Sequence, residues 1–240
     1  MGHLEGKVAA ISGTANGQGR VALERFRAEG AIVVGGDIRS DDDTPYLDVT
    51  DEASVRDWIE TAVQRHGRID ILYANAGAVR FGAVDTQSFE DWRFTLAAEL
   101  DSVFLCAKYA WPHLKKTRGT IITVGSTAGL TGSVTNDRVA HSASKGGVIA
   151  ATRQLAAEGA RHGITANCIS PGMIVTPGSQ ENLLAPDHPM RDIASAIPLG
   201  RLGTAEDVVN VAVFLASDAA AYVTGANVVV DGGWSIVLPG

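Results

Sequence analysis

The chain has 240 residues, of which 45 % are hydrophobic and 20 % are charged, and its formal net charge at pH 7 is −7. The length fits one α/β domain, so we expect residues 1–240 to form a single domain with a substantial core. The negative charge argues against nucleic acid and anionic membrane surfaces as partners. The absence of a membrane-spanning apolar run and of an N-terminal secretory pattern predicts a cytoplasmic location. Cys106 and Cys168 have no metal-ligand partner nearby and are interpreted as reduced core thiols.

A glycine-rich turn follows the first predicted strand. An apolar run over 7–11 leads into the turn at 12–19, which reads Ser-Gly-Thr-Ala-Asn-Gly-Gln-Gly, and a helical pattern over 21–29 leads out. Glycines let the backbone approach a ligand, and the N–H groups at a helix start lack helical partners. Together with the helix dipole, these N–H groups suit a phosphate or pyrophosphate. An ordinary tight turn is the alternative.

The second strand is predicted over 31–37 and ends in Asp37. A carboxylate at the end of this strand, about 20 residues after the glycines, can accept hydrogen bonds from the hydroxyls of an adenosine ribose. It would repel a 2′-phosphate, so NAD is favoured over NADP, although the nearby Arg39 weakens that preference. Alternatively, Asp37 merely opens the polar stretch over 39–43.

The next elements are a short strand over 46–49, a helix that Gly67 ends, and a strand over 69–77. A long helical stretch follows over 89–114. Glu99 lies inside the apolar pattern of this stretch, where an unpaired carboxylate would be expensive.

Further strands are predicted over 120–124, 164–169 and 227–230. The first of them ends at Ser126, after a glycine. A helix predicted over 139–160 carries His141 and Lys145, which are four residues apart and therefore share one helix face.

The stretch over 173–205 is long for a connection within a compact domain. It carries aliphatic residues among polar ones, namely Met173, Ile174, Leu183, Leu184, Met190 and Ile193. Loops of this length are usually functional, so we expect a substrate lid. At the end of the stretch, Thr204 and Asp207 predict a capping box for the next helix.

Strands that alternate with helices predict an α/β fold, here a Rossmann-like doubly wound domain. It should contain a seven-stranded parallel sheet with helices on both faces. In such sheets the ligand binds beyond the carboxyl ends of the strands. Several of the polar and glycine residues fall at those ends: Gly13, Asp37, Asn75, Ser126 and Pro171.

Over nearly its whole length the chain resembles the short-chain dehydrogenase/reductase family. The motifs that carry the resemblance are Ser12-Gly13-x3-Gly17-x-Gly19, Asp37, Asp48-Val49, Asn75-Ala76-Gly77, Gly125-Ser126, Ser144-Lys145, Ser170-Pro171-Gly172, Thr176 and Asp231-Gly232-Gly233. The resemblance implies that NAD is bound by Ser12, Gly13, Asn16, Gly17, Gln18, Gly19, Asp37, Ile38, Asp48, Val49, Asn75, Ala76, Gly77, Lys145, Pro171, Gly172, Val175 and Thr176. It also implies a homotetramer built on the helices near 90–114 and 140–160.

The family transfers a hydride between nicotinamide and a carbonyl or secondary alcohol, with Asn, Ser, Tyr and Lys in its active site. By resemblance, the Ser corresponds to Ser126 and the Lys to Lys145. The Tyr corresponds to His141 and the Asn to Glu99, so both departures fall on positions that carry the chemistry.

Three hypotheses follow. The first is an NAD-dependent oxidoreductase acting on a small carbonyl or alcohol, with His141 as proton donor and Ser126 polarising the substrate oxygen; an imidazole titrates near neutrality. Glu99 would pair with Lys145 or join a proton relay. The second is a catalytically silent NAD-binding subunit, in a hetero-oligomer with an active chain of the family. The third keeps the cofactor but catalyses an isomerisation or elimination. The altered catalytic positions favour the catalytically silent subunit. The retained Ser126, Lys145 and cofactor residues favour the oxidoreductase.

Overall fold

A computed structural model describes residues 2–41, 44–182, 184–188 and 190–237. The strands within those residues are β1 (Val8–Ser12), β2 (Ile32–Gly36), β3 (Ile71–Ala74), β4 (Thr120–Val124), β5 (Thr165–Pro171) and β6 (Asn227–Val230). They form one parallel sheet in the order β2-β1-β3-β4-β5-β6. The strand order reverses between β1 and β3, and this switch point is where open α/β sheets bind ligands.

The helices within the same residues are α1 (Gly17–Ala28), α2 (Glu52–His66), α3 (Phe89–Leu96), α4 (Ser102–Thr117), α5 (Val139–Ala160), α6 (Pro177–Asn182) and α7 (Ala205–Ala216). Short 3₁₀ turns occur at Thr127–Gly129, Ile193–Ala196, Asp218–Ala220 and Trp234–Ile236. None of the described helices is long and apolar enough to span a membrane.

The two faces of the sheet carry two buried clusters. Ala10 and Leu72 belong to one cluster, together with side chains of α2, α4 and α5. Ile11 and Tyr73, the next residues along β1 and β3, belong to the other cluster, with side chains of α1 and α7. Because successive strand residues point to opposite faces, helices cover both sides of the sheet. The predicted doubly wound α/β fold is confirmed.

The predicted strand over 46–49 is wrong. This segment makes only an isolated bridge to Asp37. Pro45, just before it, has no N–H to donate to a neighbouring strand. Asp48 then turns the chain, because its carboxylate accepts a hydrogen bond from the Thr50 N–H at 2.9 Å. Within the described residues the sheet therefore has six strands rather than seven.

The predicted long helix over 89–114 is interrupted. A π-helical turn at Ala97–Asp101 separates α3 from α4, and α4 continues to Thr117. Turns of this kind accommodate an extra residue inside a helix and recur at functional sites. This turn carries Glu99, whose side chain is buried.

Three local predictions are confirmed. The helix predicted over 139–160 is α5, with the same bounds. The capping box also forms, since Thr204 Oγ1 accepts a hydrogen bond from the Asp207 N–H at 3.2 Å and Asp207 Oδ2 accepts one from the Thr204 N–H at 2.8 Å. The two cysteines are buried and unpaired, as expected.

The predicted lid over 173–205 contains α6 and the 3₁₀ turn at Ile193–Ala196. Met173, Met190 and Ile197 form a small buried cluster within it. Leu183 and Pro189 lie outside the described residues. The function of this segment as a lid remains a prediction.

Candidate active site

The turn after β1 requires glycine at its first position. Gly13 has a φ of +78°, and a Cβ there would lie 2.9 Å from Ala76 Cα. Glycine alone meets both constraints without strain. After this turn α1 begins at Gly17, and the Asn16 side chain forms no capping hydrogen bond to it. The start of α1 thus lacks the usual side-chain cap, which suits the binding of an anion.

Gly19 brings α1 close to the turn. A Cβ at this position would lie 1.8 Å from Gly13 O and 2.7 Å from Asn75 Nδ2. We expect Gly19→Ala to lower the free energy of unfolding by about 1–3 kcal/mol, because neighbouring backbone must shift. Chemical denaturation measures the change. Gly132→Ala, where the added methyl group meets open space, is the control, and equal losses in both variants would contradict this account.

A cleft of about 460 Å³, here called the glycine cleft, opens at the carboxyl ends of β1, β2 and β3. It lies at the switch point of the sheet. Most of the residues predicted to bind the cofactor line it: Gly13, Asn16, Gly17, Gln18, Gly19, Asp37, Ile38, Asp48, Val49, Asn75, Ala76, Gly77 and Thr176. The structure thus brings these distant parts of the chain to one surface.

Asp37 is held in a fixed orientation at the end of β2. Its Oδ2 accepts a hydrogen bond from the Ala15 N–H at 3.1 Å, and its Oδ1 accepts one from the Arg39 N–H at 3.0 Å. Each carboxylate oxygen has a second lone pair. The carboxylate can therefore accept further hydrogen bonds from a ligand in the glycine cleft.

A second cavity of about 500 Å³, here called the histidine cavity, adjoins the glycine cleft. The two share six lining residues: Gln18, Asn75, Gly77, Ala78, Thr176 and Gly178. The histidine cavity is lined by the four predicted catalytic residues, Glu99, Ser126, His141 and Lys145. Pro171 and Gly172, which are predicted to bind the cofactor, line it as well.

Glu99 is the centre of a polar cluster at the base of the histidine cavity. Both of its carboxylate oxygens lie 2.9 Å from His141 Nδ1. Ser144 Oγ donates a hydrogen bond to Oε2 at 2.5 Å, and Lys145 Nζ lies 3.7 Å from Oε1. The interrupted helix makes this possible, because the π-helical turn carries Glu99 where it contacts three side chains of α5.

The Glu99 carboxylate is held in its charged form. Burial raises the pKa of this group, but the Lys145 charge and the hydrogen bonds from His141 and Ser144 outweigh burial and leave the pKa below its ordinary value. An ionised carboxylate only accepts hydrogen bonds, so His141 Nδ1 must carry a proton. In the neutral imidazole the lone pair then lies on Nε2, the nitrogen that can exchange a proton with a ligand.

The remaining predicted catalytic groups face the same cavity. Lys145 Nζ donates to Val124 O at 2.9 Å, which ties α5 to the end of β4. Ser126 Oγ accepts a hydrogen bond from the Ala128 N–H at 3.0 Å. Among the described residues, no acceptor takes the Ser126 hydroxyl proton, so this proton can be donated to a ligand.

Two predicted cofactor residues line neither cavity. Ser12 is buried, and its Oγ accepts hydrogen bonds from the Asn75 N–H at 3.1 Å and the Ala76 N–H at 3.0 Å. It therefore fixes the end of β1 against the end of β3. Val175 donates its N–H to Gly203 O at 2.9 Å and shapes the start of the predicted lid.

Comparisons with known proteins point to one family. A family model described as Enoyl-(Acyl carrier protein) reductase matches residues 13–235. The 3-oxoacyl-(acyl-carrier-protein) reductase FabG of Thermotoga maritima is 37 % identical, over 96 % of this chain and 98 % of the relative. Dehydrogenase/reductase SDR family member 6 of Aquarana catesbeiana is 38 % identical, over 98 % of this chain and 100 % of the relative. The chain belongs to the short-chain dehydrogenase/reductase family.

Solved structures agree with this assignment. Aldohexose dehydrogenase of Thermoplasma acidophilum superposes with a TM-score of 0.91 at 28 % identity, over 98 % of this chain and 96 % of that one. Proteins of the short-chain dehydrogenase/reductase family generally use a nicotinamide cofactor, and the relatives found here are dehydrogenases and reductases.

The described residues fit such a cofactor. Gly13, Gly17 and Gly19 line the glycine cleft, and Asp37 offers oxygens there for ribose hydroxyls. Gln18 Oε1, at the junction of the two cavities, is buried without a hydrogen-bond partner among the described residues. Within the same residues, no group of three or more His, Cys, Asp or Glu is placed to hold a metal ion.

Sequence reasoning missed three residues of the site. Ser144 belongs to a family motif, and its spacing of three from His141 places both on one helix face. Arg138 precedes α5 by one residue and lines the histidine cavity. Phe81 packs edge-on against His141 with ring centres 5.9 Å apart, and it lies in a loop without periodic signal.

Proposed function

We propose that this protein is an NAD(H)-dependent oxidoreductase that interconverts a secondary alcohol and a ketone. The observation that carries the proposal is the pair of a buried Glu99 and a partly buried His141, in a cavity that also holds Ser126 and Lys145 and adjoins the glycine cleft. The names of the relatives, which include a 3-oxoacyl reductase and an aldohexose dehydrogenase, are consistent with chemistry at a carbonyl or an alcohol. When bound, the nicotinamide ring supplies or accepts the hydride.

In the proposed mechanism His141 moves the proton. In ketone reduction the His141 Nε2–H of the imidazolium is donated to the substrate oxygen, and in alcohol oxidation the neutral Nε2 accepts the hydroxyl proton. Glu99 fixes the tautomer through Nδ1 and stabilises the imidazolium, as the carboxylate of a catalytic triad does. Ser126 donates its hydroxyl proton to the same substrate oxygen and polarises it.

The proposed cofactor is NAD rather than NADP. Asp37 would accept hydrogen bonds from the adenosine ribose, and its charge would repel a 2′-phosphate. Gly13, Gly17 and the start of α1 would bind the pyrophosphate. Lys145 would bind the nicotinamide ribose.

We expect Asp37→Ala to weaken NAD binding by about 10- to 100-fold and to strengthen NADP binding. NAD would lose a carboxylate–hydroxyl hydrogen bond, whereas NADP would lose the charge repulsion between its 2′-phosphate and Asp37. Calorimetric titration with both dinucleotides gives the two affinities. Asp85→Ala, at an exposed loop position, should keep the wild-type preference, and an unchanged preference in Asp37→Ala would contradict the role of Asp37.

Two further features belong to the same proposal. The stretch over 173–205 would act as a lid over the substrate. The chain would assemble as a homotetramer through α4 and α5, where Phe104 is 63 % exposed beside an apolar groove between the two helices.

The test is turnover by the purified chain with NADH and a panel of ketones, and with NAD and the matching secondary alcohols. Oxidation of NADH by a ketone would support the enzyme. Tight NAD binding without turnover of any substrate would contradict it. That result would favour instead a silent subunit that needs an active partner chain of the family.

A further inference from the structure

Arg138 places an uncompensated positive charge in the histidine cavity. It directly precedes α5, with a non-helical backbone, and stands three residues before His141. Arg138 lines the cavity together with His141 and Lys145. The proposed mechanism leaves this guanidinium without a role.

The contacts of Arg138 satisfy only part of its guanidinium. Nη2 donates to Thr131 O at 3.2 Å and lies 3.5 Å from Thr131 Oγ1. Nε is buried and has no hydrogen-bond partner in the described part of the chain. Burial lowers the pKa of Arg138, but a guanidinium stays protonated in proteins. Only Nη2 of this half-buried guanidinium has an acceptor among the described residues, so the side chain keeps hydrogen-bonding capacity for a ligand.

The backbone around Arg138 is anchored rather than free. Arg138 forms an isolated bridge with Gly82, and the Gly82 N–H donates to Asp137 O at 3.3 Å. The residue before Gly82 is Phe81, whose ring packs against His141. The contact of Gly82 with Asp137 and Arg138 therefore positions both the His141 ring, through Phe81, and the Arg138 guanidinium.

The charges that line the cavity do not balance. Glu99 is the one carboxylate among its described lining residues, and its oxygens are already occupied by His141, Ser144 and Lys145. No carboxylate of the described residues forms an ion pair with Arg138. The cavity thus carries an excess positive charge, which an anionic ligand would neutralise.

We propose that Arg138 binds a carboxylate of the substrate, so that the substrate is a small oxo acid and the product a hydroxy acid. This rests on the proposed function. The planar guanidinium matches a carboxylate and can supply charge-assisted hydrogen bonds to it. Because His141 and Arg138 line the same cavity of about 500 Å³, a small oxo acid can present its carbonyl to one and its carboxylate to the other. A phosphate dianion would bring a second negative charge towards Glu99 and is disfavoured.

The test compares oxo acids with their neutral methyl esters. Pyruvate, acetoacetate and levulinate place the carbonyl at increasing distance from the carboxylate, and each is assayed with NADH against its ester. We expect at least one acid to have a kcat/KM about 10- to 100-fold above that of its ester, and Arg138→Gln to abolish this preference. Arg153→Gln removes the same charge from an exposed position of α5 and should keep the preference.

A binding measurement separates this proposal from the proposed function. The three acids are titrated calorimetrically into wild type and Arg138→Gln, with and without NAD. Suppose that no ketone is reduced, but that an acid binds and Arg138→Gln weakens this binding at least about 10-fold. That result would support the carboxylate site and contradict the proposed oxidoreductase. Equal kcat/KM for acids and esters, equal acid binding by both proteins, or a preference for dihydroxyacetone phosphate over all three acids would overturn the carboxylate site.

Discussion

We expect His141→Ala to lower kcat by about 10²- to 10⁴-fold in both reaction directions, the range that a general acid or base contributes. The substrate oxygen would lose its proton donor, while Ser126 and Lys145 remain in the cavity. Because His141 is only partly buried, with 16 % of its side chain exposed, the variant should fold. Steady-state kinetics on the best substrate of the ketone panel gives kcat.

Three controls make the His141 result specific. His66→Ala, at an exposed position near the end of α2, should leave kcat at the wild-type value. Added imidazole should restore part of the lost rate by entering the space left by the ring. His141→Tyr should move alcohol oxidation to higher pH, because a phenol is a much weaker acid than an imidazolium. An unchanged kcat and pH profile in His141→Ala would rule out His141 as the proton donor.

The second large effect is expected for Glu99→Gln. The amide keeps the size of the side chain but can donate a hydrogen bond to Nδ1, so the wrong tautomer of His141 becomes accessible. A comparable change of carboxylate to amide in a catalytic triad costs about 10⁴ in kcat, and we expect a loss of about 10²-fold or more here. The neutral amide also leaves the buried Lys145 without its counter-ion, which should cost up to about 3–5 kcal/mol of stability.

The stability of the same variant should depend less on pH. The folded-state pKa of Glu99 lies below its ordinary value of 4.5. The contribution of Glu99 to the free energy of unfolding is therefore present above about pH 4.5. It is lost as the pH falls through the lower pKa of the folded state. Urea denaturation at pH 7 and at pH 4 should show a smaller difference for Glu99→Gln than for wild type or for the exposed control Glu60→Gln. Equal differences in all three proteins would contradict a charged, paired Glu99.

The position of the proposed cofactor residues could be predicted from sequence because local patterns encode it. A parallel sheet brings the carboxyl ends of its strands to one edge, so Gly13, Asp37 and Asn75 had to meet once the strands were recognised. The capping box of α7 and the bounds of α5 likewise follow from local sequence. The segment over 46–49 was mispredicted because its apolar pattern is short, and a turn at Asp48 took precedence.

The arrangement of the polar cluster could not be predicted in the same way. Sequence placed Glu99 inside an apolar pattern but left open whether it meets Lys145 or His141, since that depends on the π-helical turn. Ser144, which completes the cluster, could have been found from helical spacing. Arg138 could not be recognised as unpaired, because the absence of a partner is a property of the folded cavity.

The proposed reaction requires a nicotinamide dinucleotide in the glycine cleft, and calorimetric titration of the purified chain with NAD and NADH tests this most directly. We expect one site per chain with micromolar affinity and weaker binding of NADP. The absence of binding by any of these dinucleotides would contradict the assignment of Gly13, Gly17, Gly19 and Asp37, and with it the proposed oxidoreductase.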